Sequence, residues 1–114
     1  RETEAFWVLL LDSRNGLKGR PVEITRGLVN ASMVHPREVF MEAIRSATAS
    51  VILAHNHPSG DPTPSAEDLR ITRQMVEVGK LMQIRVQDHI ILGKAGGAHP
   101  EFLSLRESGA VAFE

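Results

Sequence analysis

In the run HNHPSGDPTPSAED, residues 55–68, one residue separates His55 from His57, and Ser65 and Asp68 follow beyond a proline- and glycine-rich stretch. Side chains at i and i+2 of an extended chain project from one face. Two imidazoles held side by side in this way can share one divalent ion. Pro58 stops the strand ladder, and the prolines up to Pro64 limit the freedom of the turn. Ser65 then begins a helix whose first turn carries Asp68. If Asp68 points back, it adds a carboxylate oxygen to the two imidazole nitrogens. For zinc, three protein ligands leave a fourth position for water, the pattern of a catalytic site rather than a closed structural one. Water held there is acidified toward neutral pH and becomes a nucleophile. Without thiolates in the set, other metals are less strongly excluded.

The same residues also have a purely structural reading. Ser65 with an acidic side chain three residues later resembles a capping box, and Asp68 in the first turn suits the helix macrodipole. A ligand turned toward a metal is not free to complete that cap. The direction of the Asp68 side chain therefore separates the two readings.

The site needs elements to position it. AFWVLLL (5–11) is a continuous apolar run of strand length, as in a buried central strand. DSRNG (12–16) is turn chemistry, with Asn15-Gly16 suited to positive φ. PVEIT (21–25) and LVNASMV (28–34) read as second and third strands, with Gly27 marking a bulge. Pro36 opens a helix whose Val39, Phe40, Ala43, Ile44 and Ala47 recur at helical spacing to about residue 49. SVILA (50–54) is a short strand running straight into His55, and residues 66–82 form a second helix with Leu69, Met75, Val76 and Met82 toward the core. IRVQDHIIL (84–92) alternates as a strand, GKAGG (93–97) turns, and residues 101–113 read as a last strand or edge segment. The order βββαβαββ combines an antiparallel hairpin with parallel pairing after residue 36. The expected fold is α/β (α+β), a mixed sheet flanked by two helices.

Whole-chain properties narrow the classes. The 114 residues are one domain by size, with 42% hydrophobic and 24% charged residues. Thirteen basic against fourteen acidic residues leave a net charge near −1, which gives no support to direct DNA binding. The chain has no cysteine, so disulfides, thiolate nucleophiles and cysteine-based zinc sites are excluded. That fits a reducing compartment, and a cytoplasmic location is expected. Asn30-Ala31-Ser32 matches a glycosylation acceptor and reads as chance. No apolar run suggests a membrane span. The start at Arg1 reads as a piece of a longer protein.

His-x-His, seven residues, Ser, two residues, Asp is the pattern of the JAMM motif of MPN-type metalloproteases, here His55, His57, Ser65 and Asp68. The fuller text VILAHNHPSGDPTPSAED resembles the RadC family, whose members carry a JAMM-type domain at the C-terminus. FWVLLLDSRN, VNASMVHPREVF, VQDHIILG and SLRESG extend the likeness along nearly the whole chain. The resemblance implies an MPN (JAMM) fold, similar to the cytidine-deaminase architecture, over a single domain at 1–114. The helix-hairpin-helix region that usually precedes this domain is absent from the sequence. It implies His55, His57 and Asp68 as metal ligands, zinc as the ion, and Ser65 as the hydroxyl that helps stabilise a tetrahedral intermediate. It also implies an upstream glutamate as general base. Glu4 is the best-placed match and Glu2 the second. Glu38 and Glu42 lie on the first helix and read as a solvated face.

The remaining histidines read as supporting residues. His35 forms local hydrogen bonds, His89 is a packing or supporting residue in a strand, and His99 is exposed. Asn56 and Ser59 shape the loop, and Gly60-Asp61 is a turn. The first functional expectation is a metal-dependent hydrolase of a peptide or protein substrate, cleaving a peptide or isopeptide bond. The alternative is a metal-binding, non-catalytic interaction module, an accessory of the DNA repair with which the RadC name is associated. A nucleobase deaminase is rejected, because those enzymes hold zinc through cysteines.

Overall fold

The computed structural model describes residues 3–27 and 33–114. Seven elements follow in chain order: β1 (Ala5–Leu11), β2 (Val22–Arg26), α1 (Pro36–Arg45), β3 (Ser50–Asn56), α2 (Ala66–Met82), β4 (Arg85–Leu92) and β5 (Phe102–Ser104). The strands form one mixed sheet in the order β2-β1-β3-β4-β5. β1 pairs antiparallel with both β2 and β3, β3 pairs parallel with β4, and β4 pairs antiparallel with β5. The parallel pair is the one joined through a helix, as a crossover connection requires.

Alternation decides what each strand buries. Phe6, Val8 and Leu10 of β1 and Val51 and Leu53 of β3 enter the core. There they meet Val39 and Phe40 of α1 and Ile71, Met75 and Val76 of α2. α2 packs closely on the chain entering β4 at Gly79, where a Cβ would fall 2.4 Å from the Ile84 carbonyl oxygen. On the other face Trp7, Leu9, Ile52, Ala54, Ile90 and Leu92 line a shallow apolar depression.

Sequence and structure differ at several boundaries. α1 ends at Arg45, not near 49. Ala47 takes φ 54°, the Ala47 N–H bonds to the Ile44 carbonyl, and the Thr48 N–H bonds to the Ala43 carbonyl. That is a Schellman ending, usually marked by glycine, and here built without one. Ile44, one of the residues at helical spacing, is 57% exposed, and Met82 of α2, expected toward the core, is also exposed. The last segment is a strand only over Phe102–Ser104. Beyond it, Ser104 Oγ donates to Asp88 Oδ2, the Arg106 N–H bonds to Asp88 Oδ1, and the chain turns. Leu105, Val111 and Phe113 still reach the core from those turns. The expected third strand, 28–34, lies outside the described residues over 28–32. Met33 and Val34 are not in a strand.

The bulge expected near Gly27 falls instead within β2, at Ile24, which has no partner because Phe6 pairs with Thr25 and Trp7 with Glu23. Gly27 does take positive φ, and its N–H bonds to the Glu4 carbonyl. Asn15 also takes positive φ, as its turn requires.

Candidate metal centre

The chain direction of three elements gathers the site. β3 runs on through His55 and Asn56, two residues further than its apolar run, and ends where the connection to α2 begins. Antiparallel pairing brings the start of β1 beside that end, with Phe6 opposite His55. The first turn of α2 returns to the same place. The carboxyl end of a central strand and the start of the next helix are a recurrent location for sites in α/β sheets.

His55 is fully buried, and its ring stacks on Phe6 at 5.8 Å. His57 leaves the strand with its backbone N–H bonded to the Leu92 carbonyl. Its Nδ1 lies 2.9 Å from the Asp61 carbonyl oxygen. A carbonyl only accepts, so Nδ1 carries the donating proton and the neutral ring turns a bare Nε2 inward. His55 Nε2 stands 3.1 Å from His57 Nε2. Asp68 Oδ1 lies 3.2 Å from His55 Nε2, and Asp68 Oδ2 lies 3.0 Å from His57 Nε2.

Asp68 is buried at the start of α2. Its Oδ2 also accepts the Ser65 backbone N–H at 2.9 Å, while Ser65 Oγ accepts the Asp68 N–H at 3.0 Å. The capping box is complete. The carboxylate that completes the cap also faces both imidazoles, so capping does not turn Asp68 away from the histidines. Burial opposes ionisation of Asp68, but the neighbouring His55 and His57 rings and the Ser65 N–H outweigh it. They hold the carboxyl far below the usual carboxylate range. The bond to Asp68 raises His57 against the opposing effect of burial.

Two imidazole nitrogens 3.1 Å apart thus face the two Asp68 oxygens, Oδ1 3.2 Å from His55 Nε2 and Oδ2 3.0 Å from His57 Nε2. Around a tetrahedral zinc, ligands about 2.0–2.1 Å from the ion lie roughly 3.3 Å from one another. The donor set fits a divalent ion with a small outward movement of the side chains.

Glu4 arrives on the segment before β1. One carboxylate oxygen of Glu4 and one ring nitrogen each of His55 and His57 lie within 4.8 Å of one another, a group able to hold a metal ion. Burial pushes the Glu4 carboxyl up, with His55 and His57 pulling the other way. Glu2 lies outside the described residues. Glu38 faces neither the centre nor open solvent alone: its carboxylate accepts the His35 backbone N–H at 2.8 Å and caps α1.

Three supporting residues were only partly legible. Asn56 does not merely shape the loop. Its Oδ1 accepts the Ala5 N–H at 2.8 Å and its Nδ2 donates to the Thr3 carbonyl, so it clamps both neighbours of Glu4. His89, the expected supporting residue, is fully buried, with Nε2 2.8 Å from His55 Nδ1. Burial first, then the neighbouring His55, holds it well below the usual imidazole range. Thr72, unremarked in the sequence, lies 2.6 Å from His89 Nδ1. The signal for it was its place one helical turn after Asp68, on the buried face. His99 is exposed, 3.9 Å from Asp61. Among the described residues, no helix is long and apolar enough to cross a membrane.

The family description "RadC-like JAB domain" matches residues 1–110. Among curated relatives, a UPF0758 protein from Pelobacter propionicus is 52% identical over 108 residues, covering 95% of this chain and 44% of the relative. One from Geobacter sulfurreducens is 55% identical over 93 residues, covering 82% and 40%. One from Methanosarcina barkeri is 48% identical over 111 residues, covering 97% and 46%. The chain spans less than half the length of these relatives. A match of this extent, over a fold with a mixed sheet and two helices, makes the chain a member of the RadC family, carrying its RadC-like JAB domain.

Proposed function

We propose that this domain is a metal-dependent hydrolase of the JAMM type, cleaving a peptide or isopeptide bond in a protein substrate. His55, His57 and Asp68 would hold one divalent ion, and zinc suits the nitrogen-rich donor set. The observation that carries the reading is the convergence of His55 Nε2, His57 Nε2 and Asp68 within 3.0–3.2 Å at a strand end, with Glu4 alongside. Once bound, the ion supplies Lewis acidity, lowering the pKa of water and polarising a carbonyl.

The protein residues divide the remaining work. Glu4 accepts the proton of the attacking water and passes it to the leaving amine. A carboxyl raised by burial suits a base that must also return its proton. Asn56 fixes the backbone on both sides of Glu4, which limits where the carboxylate can reach. Ser65 uses an oxygen lone pair in the cap and keeps its hydroxyl proton for the oxyanion. Cleavage of the amide produces a carboxylate and a free amine.

The test is metal analysis of the purified protein, followed by a peptide-hydrolysis assay of wild type and Asp68→Ala. One equivalent of zinc and hydrolysis in the wild type, both lost in the variant, are expected. Unchanged metal content and hydrolysis in the variant overturn the reading. Stoichiometric zinc without hydrolysis supports the non-catalytic interaction module instead.

A further inference from the structure

The buried chain His55–His89–Thr72 ends on a backbone carbonyl, and its polarity can be assigned from hydrogen-bond capacity alone. Thr72 Oγ1 lies 2.7 Å from the Asp68 carbonyl oxygen, one helical turn back. That oxygen only accepts, so the single hydroxyl proton of Thr72 is committed to it. Thr72 Oγ1 also lies 2.6 Å from His89 Nδ1. Thr72 has no second proton, so His89 Nδ1 is the donor there. His89 is fully buried, and the partners of its ring nitrogens are His55 and Thr72, with no carboxylate between them. A neutral ring with its proton on Nδ1 has a bare Nε2. That Nε2 faces His55 Nδ1 at 2.8 Å and accepts from it. His55 then carries its proton on Nδ1, and its Nε2 lone pair faces His57 and Asp68.

We infer that Thr72 and His89 are positioning residues that lock the His55 tautomer needed for metal binding. The inference rests on the proposed metal centre and deepens it. His57 obtains the same result in one step from the Asp61 carbonyl. His55 is too deep in β3 for a loop carbonyl to reach it, because its Nδ1 side faces β4. A second imidazole on the parallel strand carries the polarity across, and α2 supplies the terminal acceptor. The same helix thus contributes one ligand, Asp68, and fixes the tautomer of another. Ligating histidines usually donate their second N–H directly to a carboxylate, carbonyl or water. Here a neutral side chain with two equivalent tautomers is interposed, and Thr72 breaks the tie.

The experiment combines nitrogen-15 correlation spectra of the imidazoles with zinc titration against a chromophoric chelator. Spectra of metal-free wild type, taken above the imidazole titration range, should show His55 and His89 each protonated at Nδ1. Thr72→Val should lower zinc affinity roughly 10–100-fold, with mixed tautomers at His89. Thr72→Ser, which keeps the hydroxyl, should restore both. His55 protonated at Nε2 in the metal-free wild type overturns the inference. So does unchanged zinc affinity in a folded Thr72→Val protein. If Thr72→Val does not fold, the wild-type tautomers decide. If the wild type binds no zinc, the proposed function fails, while the tautomer spectra still decide whether the relay exists.

Discussion

The oxygen of Asp68 that accepts the Ser65 backbone N–H at 2.9 Å is the one that stands 3.0 Å from His57 Nε2. The start of α2 and the candidate metal centre are therefore one construction. A carboxylate offers about four lone-pair sites, enough to accept the Ser65 N–H and still face the two imidazoles.

This double use can be separated by mutation. Ser65→Ala removes the acceptor for the Asp68 N–H and should cost about 1 kcal/mol of stability. Zinc affinity should change little, because Asp68 keeps the Ser65 backbone N–H. If Ser65 also serves the oxyanion, kcat should fall roughly 10²–10³-fold. Asp68→Asn should weaken zinc binding by more than the roughly 10–100-fold typical of residues behind the ligands. Chemical denaturation and zinc titration of the two variants check this. A Ser65→Ala protein that loses zinc as severely as Asp68→Asn would show that the cap and the centre cannot be separated.

The Asp68–His57 pair makes stability depend on pH in a metal-sensitive way. His57 is raised above its ordinary 6.5, so its contribution is complete below that value and fades as pH rises through its folded pKa. Asp68 is depressed below its ordinary 3.8, so its contribution is complete above that value and fades in stronger acid. In EDTA-treated protein both are fully present only between 3.8 and 6.5. Zinc needs His57 without its extra proton, so its binding should strengthen through the range where the metal-free pair weakens. Melting curves of wild type and His57→Gln, with EDTA and with zinc, measure this. The EDTA difference should shrink on the alkaline side, and the zinc difference should grow there. A zinc effect that is flat across His57 titration contradicts the assignment.

What was legible in the sequence was local. His55 and His57 stand two residues apart across the end of β3, and Ser65 and Asp68 are the cap and first turn of α2, so local spacing gives their mutual placement. The strand AFWVLLL and the helix 66–82 appear with the expected limits, because length and periodicity specify them. What was not legible depends on register between distant elements. His89 meets His55 only because β3 and β4 pair in parallel with Leu53 opposite His89. Asn56 meets Thr3 and Ala5 only because β1 pairs antiparallel with β3. The end of α1 was missed for a different reason. Ala47 enters the left-handed region without glycine to announce it.

Asn56 should behave as a clamp on Glu4 rather than as part of the ligand set. Asn56→Ala leaves the Ala5 N–H, on a fully buried residue, without its partner. A buried unsatisfied donor costs about 1–3 kcal/mol, and the segment carrying Glu4 gains freedom. Zinc affinity should remain near the wild-type value while kcat falls. Hydrogen exchange at the Ala5 amide reads the clamp directly and should accelerate. Slow exchange with unchanged kcat in the variant removes Asn56 from any positioning role.

Glu4 gives the sharpest kinetic signature, because its proposed work is proton transfer and not ligation. Glu4→Gln keeps the shape and removes the base, so hydrolysis should fall roughly 10²–10⁴-fold. Zinc should stay bound through His55, His57 and Asp68. The pH profile then identifies the group. Burial raises the Glu4 carboxyl above its ordinary 4.5, with His55 and His57 opposing the shift. The base acts only when deprotonated, so kcat/KM should rise with pH through a midpoint above 4.5. This limb must be read at saturating zinc, since acid also displaces the metal through His57. In the Gln variant the limb should vanish from the residual activity. If Glu4→Gln instead loses zinc in proportion to activity, Glu4 is a ligand, and the base lies elsewhere.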